Sequence, residues 1–319
     1  MKNRNQVSVV IPNYNGMEYI DICLQALLTQ VEPEQIIVVD NGSADGSRER
    51  VTEGYPQVRL IGLDRNYGFC RAVNEGLKAA DSAYVILLNN DTKVCPGFVE
   101  ALVKALDADK KAFSAGAKML QYHQPDRIDD AGNFYCALGW AFARGKDKPA
   151  DLYEKPDRVF AACAGAAIYR KAVLEQIGYF DEAHFAYLED IDLGYRAQIF
   201  GWHNLYEPAA KVYHVGSGTS GSRYNEFKVT YSSRNSVYLI YKNMPWPQIL
   251  LNLPFFLAGF GVKYVFFLRK GLGNTYRKGL LAGIRLCSRD AKVKFCWKHL
   301  LSYGKIQLEL WKNLGKRFG

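Results

Sequence analysis

No two of the seven cysteines in this 319-residue chain form a CxxC pair. Cys23, Cys70, Cys95, Cys136, Cys163, Cys287 and Cys296 are scattered without metal-ligand spacing. That excludes a zinc ribbon or a paired redox site, and predicts reduced, mostly buried thiols in a cytosolic protein. An apolar segment of signal-peptide type is also lacking: Met1–Gln6 is polar and runs directly into a β-branched stretch, so no export is expected. After the first predicted strand there is no glycine-rich loop with Arg and Lys; Pro12-Asn13-Tyr14-Asn15 stands there instead. Several long apolar spans are missing too, as is any nucleic-acid motif, so no nucleic-acid partner is expected.

What is present suffices for a proper core, with 49% hydrophobic and 23% charged residues. The length predicts one large domain plus an appendage. Charge locates the join. Residues 263–319 hold 14 Lys/Arg against 2 Asp/Glu, a net of +12, and the whole chain carries +9, so residues 1–262 carry −3. Into this basic tail runs the apolar stretch Ile249 to Leu268, long enough to span a bilayer but interrupted by Asn252, Pro254 and Lys263. We expect it to lie in a membrane interface, followed by basic amphipathic helices such as Ala291 to Leu301 that meet anionic lipid. The alternative is a helical subdomain that packs on the core or on a second subunit as a homodimer.

Apolar runs and helical spacing alternate through the N-terminal half. Val7–Ile11, Gln35–Val39, Val58–Ile61 and Tyr84–Leu88 read as strands; Met17–Gln30, Ser47–Gly54 and Cys70–Ala79 read as helices. A βαβ series of this kind implies an α/β fold whose parallel sheet, covered by helices on both faces, binds its ligand at the carboxyl ends of the strands. The polar clusters fall at those ends. Pro12-Asn13-Tyr14-Asn15-Gly16, Asp40-Asn41-Gly42-Ser43 and Arg65-Asn66-Tyr67-Gly68 can offer amides and acceptors to a base and ribose. Asp40 can accept from the imide N–H of uracil or thymine, and Arg65 can pair with phosphate or stack on the base. Either of the first two loops alone favours turn and N-cap chemistry; three such loops on one sheet edge are harder to dismiss.

Three further features point to a reaction. Asn89-Asn90-Asp91 ends the run Tyr84–Leu88, Glu189-Asp190-Ile191-Asp192 opens a helical stretch, and His214 closes the strand-like run Ala210–Tyr213. Together they suggest a divalent cation on a diphosphate, with a general base opposite. Consecutive acids on a helix point different ways, so Asp190 is expected to take the proton, Glu189 to orient acceptor or sugar, and Asp192 to cap the helix or pair with Arg196 at i,i+4. Imidazole ligation by His214 favours Mn²⁺ over the harder Mg²⁺. Gly216–Gly221 reads as a loop that closes over the donor, and Ala162–Ile168 as a small-residue strand beneath its sugar.

These motifs resemble the family 2 inverting glycosyltransferases of GT-A fold. The likeness rests on Val-Ser-Val-Val-Ile-Pro-Asn-Tyr-Asn, Ile-Val-Val-Asp40-Asn-Gly-Ser, Asn66-Tyr-Gly-Phe, Leu-Leu-Asn-Asn-Asp91-Thr and Tyr-Leu-Glu189-Asp190-Ile-Asp192-Leu. It covers about residues 7–220 and is greatest to the rhamnosyltransferase-like enzymes of bacterial polysaccharide assembly. The resemblance implies that Asp40 reads the base, Asp91 is the last acid of a DxD-type metal motif, Asp190 is the general base and His214 completes the metal site. Asn89 stands where the motif usually has its first acid, which leaves the metal fewer charges. The nucleotide-sugar site would comprise Pro12, Asn13, Tyr14, Asn15, Asp40, Asn41, Arg65, Asn66, Gly68, Asn90 and Gly165, with Asp91 and His214 on the metal and Asp190 and Glu189 at the reaction.

The expectation is therefore a GT-A catalytic domain over residues 1–225, its nucleotide-sugar half about 1–115 and its acceptor half about 116–225, followed by a helical membrane-interface or dimerisation region over 226–319. It would move a hexosyl group, such as L-rhamnosyl, from a dTDP- or UDP-linked donor to a polyprenyl-diphosphate-linked or glycan acceptor, with Mn²⁺ or Mg²⁺, at the inner face of the cell membrane. A non-catalytic glycan- or lipid-binding module and a sugar nucleotidyltransferase are the rivals; the missing triphosphate loop counts against the second.

Overall fold

A computed structural model describes residues 7–216, 224–287 and 292–318. The expectations for Met1–Gln6 and, beyond Gly216, for the closing loop lie outside the described residues. β1 (Val7–Asn13), β2 (Ile36–Asp40) and β4 (Tyr84–Leu88) are runs of Val, Ile and Leu buried almost throughout, as strands covered on both faces must be. Between them come α1 (Ile20–Leu27), α2 (Ser47–Gly54), β3 (Arg59–Gly62) and α3 (Phe69–Ala79). After β4 follow β5 (Thr92–Val94), α4 (Phe98–Ala108), β6 (Ala112–Gln121), β7 (Ile128–Asp130), the hairpin β8 (Asn133–Cys136) and β9 (Trp140–Ala143), and β10 (Asp157–Val159). Then come β11 (Ala166–Arg170), α5 (Lys171–Ile177), α6 (Glu189–Ile199) and β12 (His203–His214).

Ten strands form one mixed sheet in the order β10-β12-β6-β11-β4-β1-β2-β3, with β5 on β12 and β7 on β6. β3, β2, β1 and β4 run parallel, β11 is antiparallel to both neighbours, and β12 runs parallel to β6. One face is closed by Ile20, Leu24, Phe98 and Leu102 on Val9, Ile11 and Ile86; the other by Cys70, Val73, Leu77, Leu174 and Leu193 on Val10, Val39 and Leu87. The α/β architecture with helices on both faces is thus as expected.

Register gathers the polar ends on one edge. Asn13 pairs with Asp40, Asp40 with Gly62, and β4 stops at Leu88 opposite Ala166, the first residue of β11. His214 lies opposite Thr92, and the Val215 N–H donates to the Asp91 carbonyl at 3.0 Å. Backbone pairing alone therefore sets His214 beside Asp91.

Two elements differ from the sequence reading. The small-residue strand expected over Ala162–Ile168 begins only at Ala166, because the Ala166 N–H turns back to the Cys163 carbonyl (3.2 Å) and Gly165 receives the Asn89 N–H (2.9 Å). No helix covers the described part of Ala291–Leu301 before its end: residues 292–296 are irregular, Trp297–His299 forms one 3₁₀ turn, and α10 (Leu300–Phe318) starts at Leu300. The cause is a tether. The Val293 N–H donates to the Lys242 carbonyl at 2.8 Å and Lys292 Nζ to the Met244 carbonyl at 2.9 Å.

The remaining helices are α7 (Glu226–Asn243), α8 (Trp246–Arg269) and α9 (Gly273–Leu286). α8 is the one helix among the described residues long and apolar enough to cross a membrane, with mean hydropathy 1.7 and only 17% of that stretch buried. Its polar interruptions face protein. Asn252 and Gln307 of α10 exchange hydrogen bonds of 2.7 and 2.9 Å, and Lys263 sits 5.5 Å over the Trp140 ring. Pro254 lies inside α8, where a proline costs about 3 kcal/mol of helix stability. Packing beyond it offsets that cost: Phe256 is buried and Trp140 Nε1 donates to the Gly259 carbonyl at 3.0 Å.

Candidate functional site

The strand-end loops are cross-braced by amides. Asn13 Nδ2 donates to Asp40 Oδ2 (3.0 Å) and Ser47 Oγ (2.9 Å), while Asn13 Oδ1 accepts from Asn90 Nδ2 (2.7 Å). Asp40 Oδ1 accepts from the Ser43 N–H (3.1 Å), so both carboxylate oxygens of this fully buried acid hold protein. Asn41 Nδ2 reaches Asn66 Oδ1 (3.0 Å) and the Gly68 carbonyl (3.2 Å). Turn chemistry is present, and it arranges the loops as one unit.

Beyond β4 the geometry is ionic. His214 Nε2 lies 3.3 Å from Asp91 Oδ1 and His214 Nδ1 lies 2.8 Å from Asp129 Oδ2, with Lys146 paired to the other oxygen of Asp129. Burial alone would lower the imidazole pKa; the bonds to Asp129 and Asp91 outweigh it and raise it to about 10. No cluster of three or more His, Cys, Asp or Glu with metal-holding geometry occurs among the described residues. Without a metal the imidazole therefore holds its proton; a divalent ion between Asp91 and His214 would displace the proton from Nε2, with its other positions filled by substrate phosphate and water. Asp129 holds Nδ1 and so fixes the ring with Nε2 toward Asp91, the usual arrangement around a ligating histidine.

Glu189 and Asp190 open α6 on the same cavity. Asp190 Oδ1 accepts the Ile191 N–H at 2.7 Å and Oδ2 accepts from Asn133 Nδ2 at 2.8 Å. Burial pushes the Asp190 carboxyl up, and these two donors oppose it. Glu189 is pushed up further by burial and by the neighbouring Asp190; its buried Oε2 has no hydrogen-bond partner among the described residues. Burial and the neighbouring Asp190 thus favour the neutral form of Glu189, whereas the two donors on Asp190 favour its carboxylate. Asp192 turns away from the cavity and pairs with Arg196 at 2.9 Å and Lys242 at 2.9 Å.

A cavity of about 730 Å³ joins these groups. Pro12, Asn13, Tyr14, Asn41, Asn66, Gly68, Asn90, Gly165, Asp91, His214, Glu189 and Asp190 all line it. Asn15, Asp40 and Arg65 do not. Asn15 ties the first two loops by accepting the Ala44 N–H (2.9 Å), Asp40 is the buried brace already described, and Arg65 is exposed with its guanidinium 4.7 Å over the Tyr67 ring. Sequence reasoning missed Asp129 and Asn133, the wall Phe185–Leu188, and Phe227 and Lys228 from the first turn of α7. Ile128-Asp-Asp-Ala-Gly-Asn133, with two acids and an amide beside a strand, was the available signal for the first two.

Comparison with known proteins gives the family and the fold. The family model "Glycosyl transferase family 2" matches residues 8–178. The N-acetylglucosaminyl-diphospho-decaprenol L-rhamnosyltransferase of Mycobacterium tuberculosis is 26% identical over 265 residues, covering 75% of this chain and 85% of that protein. Among solved structures, GalNAc-T7 with UDP, GalNAc and Mn²⁺ superposes with a TM-score of 0.60 at 17% identity, over 75% of this chain and 48% of that one. The mannosyltransferase PcManGT of Pyrobaculum calidifontis, in complex with GDP-Man and Mn²⁺, gives 0.53 at 16% identity, over 95% and 87%. At such identity these two likenesses speak to the fold, a glycosyltransferase GT-A architecture.

Proposed function

This chain belongs to glycosyl transferase family 2, and on that premise we propose that it transfers L-rhamnosyl, with inversion, from dTDP-rhamnose to a polyprenyl-diphosphate-linked sugar. The acceptor and sugar follow the mycobacterial relative's name. The observation that carries the reading is a single cavity bounded by the Asp91–His214 pair and by Asp190 anchored through Asn133.

Asp190 accepts the proton of the acceptor hydroxyl as its oxygen bonds to the anomeric carbon and the bond from that carbon to the diphosphate oxygen breaks; one displacement inverts the centre. Glu189, protonated, donates to the sugar or acceptor. Asn41, Asn66 and the backbone about Pro12–Tyr14 receive base and ribose; Asn15 and Asp40 order those loops from behind and Arg65 stands at their solvent side. Gly165 leaves room for the sugar. Asp91 and His214 would hold a divalent cation, Mn²⁺ in preference to Mg²⁺, which neutralises charge on the leaving diphosphate. The apolar surface of α8, which leads into the basic stretch 263–319, would rest on the anionic inner leaflet where lipid-linked acceptors are carried.

Thermal stabilisation by dTDP, UDP, GDP and ADP, each with and without Mn²⁺, tests the donor site. A metal-dependent shift with dTDP that Asp91→Ala abolishes is expected. Asp190→Asn should keep that shift while transfer falls by about 10²–10⁴-fold. No shift with any nucleotide would instead favour a binding module of the same fold.

A further inference from the structure

Three of the four residues Phe185–Leu188 adopt positive φ without being glycine: Phe185 at 61°, Tyr187 at 70° and Leu188 at 65°. Phe185 has ψ −60°, and the Ala186 N–H donates to the His184 carbonyl at 2.7 Å, a γ-turn of the rare, strained hand. Such backbone persists only where its surroundings over-determine it, and it concentrates at functional sites. Leu188 is the N-cap of α6, so this strained segment ends at Glu189 and Asp190.

Two elements grip it. On one side the Cys70 N–H donates to the Phe185 carbonyl at 3.3 Å; Gly68 (φ +90°) permits the approach, since a Cβ there would lie 2.5 Å from the Phe185 ring. On the other side stands α7. Fully buried Asn235 points its Nδ2 at the carbonyls of His184 (2.9 Å), Ala186 (2.8 Å) and Tyr187 (2.7 Å). Arg234 Nη2 donates to the carbonyls of Ala183 (2.7 Å) and His184 (2.6 Å), while its Nε donates to Asn235 Oδ1 (2.9 Å) and so orients that amide. Tyr231 stacks on Phe185 at 5.0 Å and 22°. α9 backs the grip: a Cβ on Gly283 would meet the Arg234 carbonyl at 2.4 Å. Arg234 and Asn235 lie beyond the residues that the family match covers.

We infer that Arg234 and Asn235 of α7 are positioning residues for the transfer, clamping the strained Ala183–Leu188 segment so that α6 delivers Glu189 and Asp190 to the cavity. The inference rests on the role proposed above for Asp190. α7, which by sequence position belongs with the helical C-terminal region, is on this view part of the active site.

Arg234→Ala, Arg234→Lys and Asn235→Asp test it with two readouts. Amide hydrogen exchange should speed up locally over residues 183–192 in Arg234→Ala, with the sheet unchanged and Arg234→Lys partly protected. With dTDP-L-rhamnose and a synthetic polyprenyl-diphosphate N-acetylglucosamine, kcat should fall by about 100-fold, the loss expected of a small displacement, while the donor KM stays near wild type and Arg234→Lys recovers part of the rate. Full kcat despite local loosening would overturn the inference, as would wild-type exchange over 183–192 in Arg234→Ala. If the wild type itself transfers nothing from this donor, the substrate reading has failed and the exchange data still decide the clamp. Should Asn235→Asp not fold, the half-buried Arg234 pair carries the test.

Discussion

Asp130, on β7, is nearly fully buried and accepts the Gly132 N–H at 2.6 Å. Burial, opposed by that bond and reinforced by Asp129 and Asp190, lifts its carboxyl to about 7. A raised carboxyl is stabilising while protonated; the benefit is complete below the unfolded value of about 3.9 and is lost as pH rises through about 7. Asp130→Asn keeps the oxygen that Gly132 needs and removes the charge. Its melting temperature is therefore expected to fall less than that of wild type over this window; parallel curves for the two proteins would refute the account. At this scale Asp91, Asp190 and His214 were legible because each polar group ends an apolar run or opens a helix. Asn133 was not, since its bond to Asp190 depends on a bridge to Ala161 that no local period encodes.

Between elements, the firmest polar joint links α6 to α7. Asp192, fully buried, holds Arg196 and Lys242, and Lys242 also reaches Asp181 at 2.8 Å. Burial would raise the Asp192 carboxyl, but these cations bring it far below the ordinary carboxylate range. Removing one partner of a buried pair strands the other, a loss of about 3–5 kcal/mol. Lys242→Met should destabilise the protein by that order in chemical denaturation, and a near-neutral change would show the network to be dispensable. The βαβ half was readable because its strands are apolar runs of period-independent burial and its helices bury Cys70, Val73 and Leu77 on one face. α7 was unreadable as a core element. Arg234, Asn235, Lys242 and Asn243 have the composition of a solvated face, yet they satisfy carbonyls and a carboxylate of the segment before and within α6.

For the molecule as a whole, apolar surface and charge adjoin. Trp246, Leu250, Leu257 and Val262 of α8, just before the basic stretch 263–319, and Ile284 of α9 and Leu301 of α10, within it, are each more than half exposed. Each cation near an anionic leaflet contributes about 1 kcal/mol, and salt screens it. The protein is expected to co-sediment with phosphatidylglycerol vesicles and release at high salt, and Leu250→Asp with Leu257→Asp should weaken binding without lowering nucleotide-induced stabilisation. Equal binding to neutral vesicles would remove the electrostatic part of this reading. The sheet also bears on how the chain can change in length. β12 pairs Glu207 with Ala117 and then Lys211 with Lys118, so Pro208, Ala209 and Ala210 are looped out between them, closed by the Ala209 N–H on Glu207 Oε1 at 2.9 Å, with Ala209 exposed. An added or deleted residue there can be absorbed by the bulge, whereas one between Lys211 and His214 would slide the histidine about 3.3 Å along the strand and turn it to the opposite face. Related chains that differ in length along β12 should accordingly differ at the bulge and keep the final four residues intact.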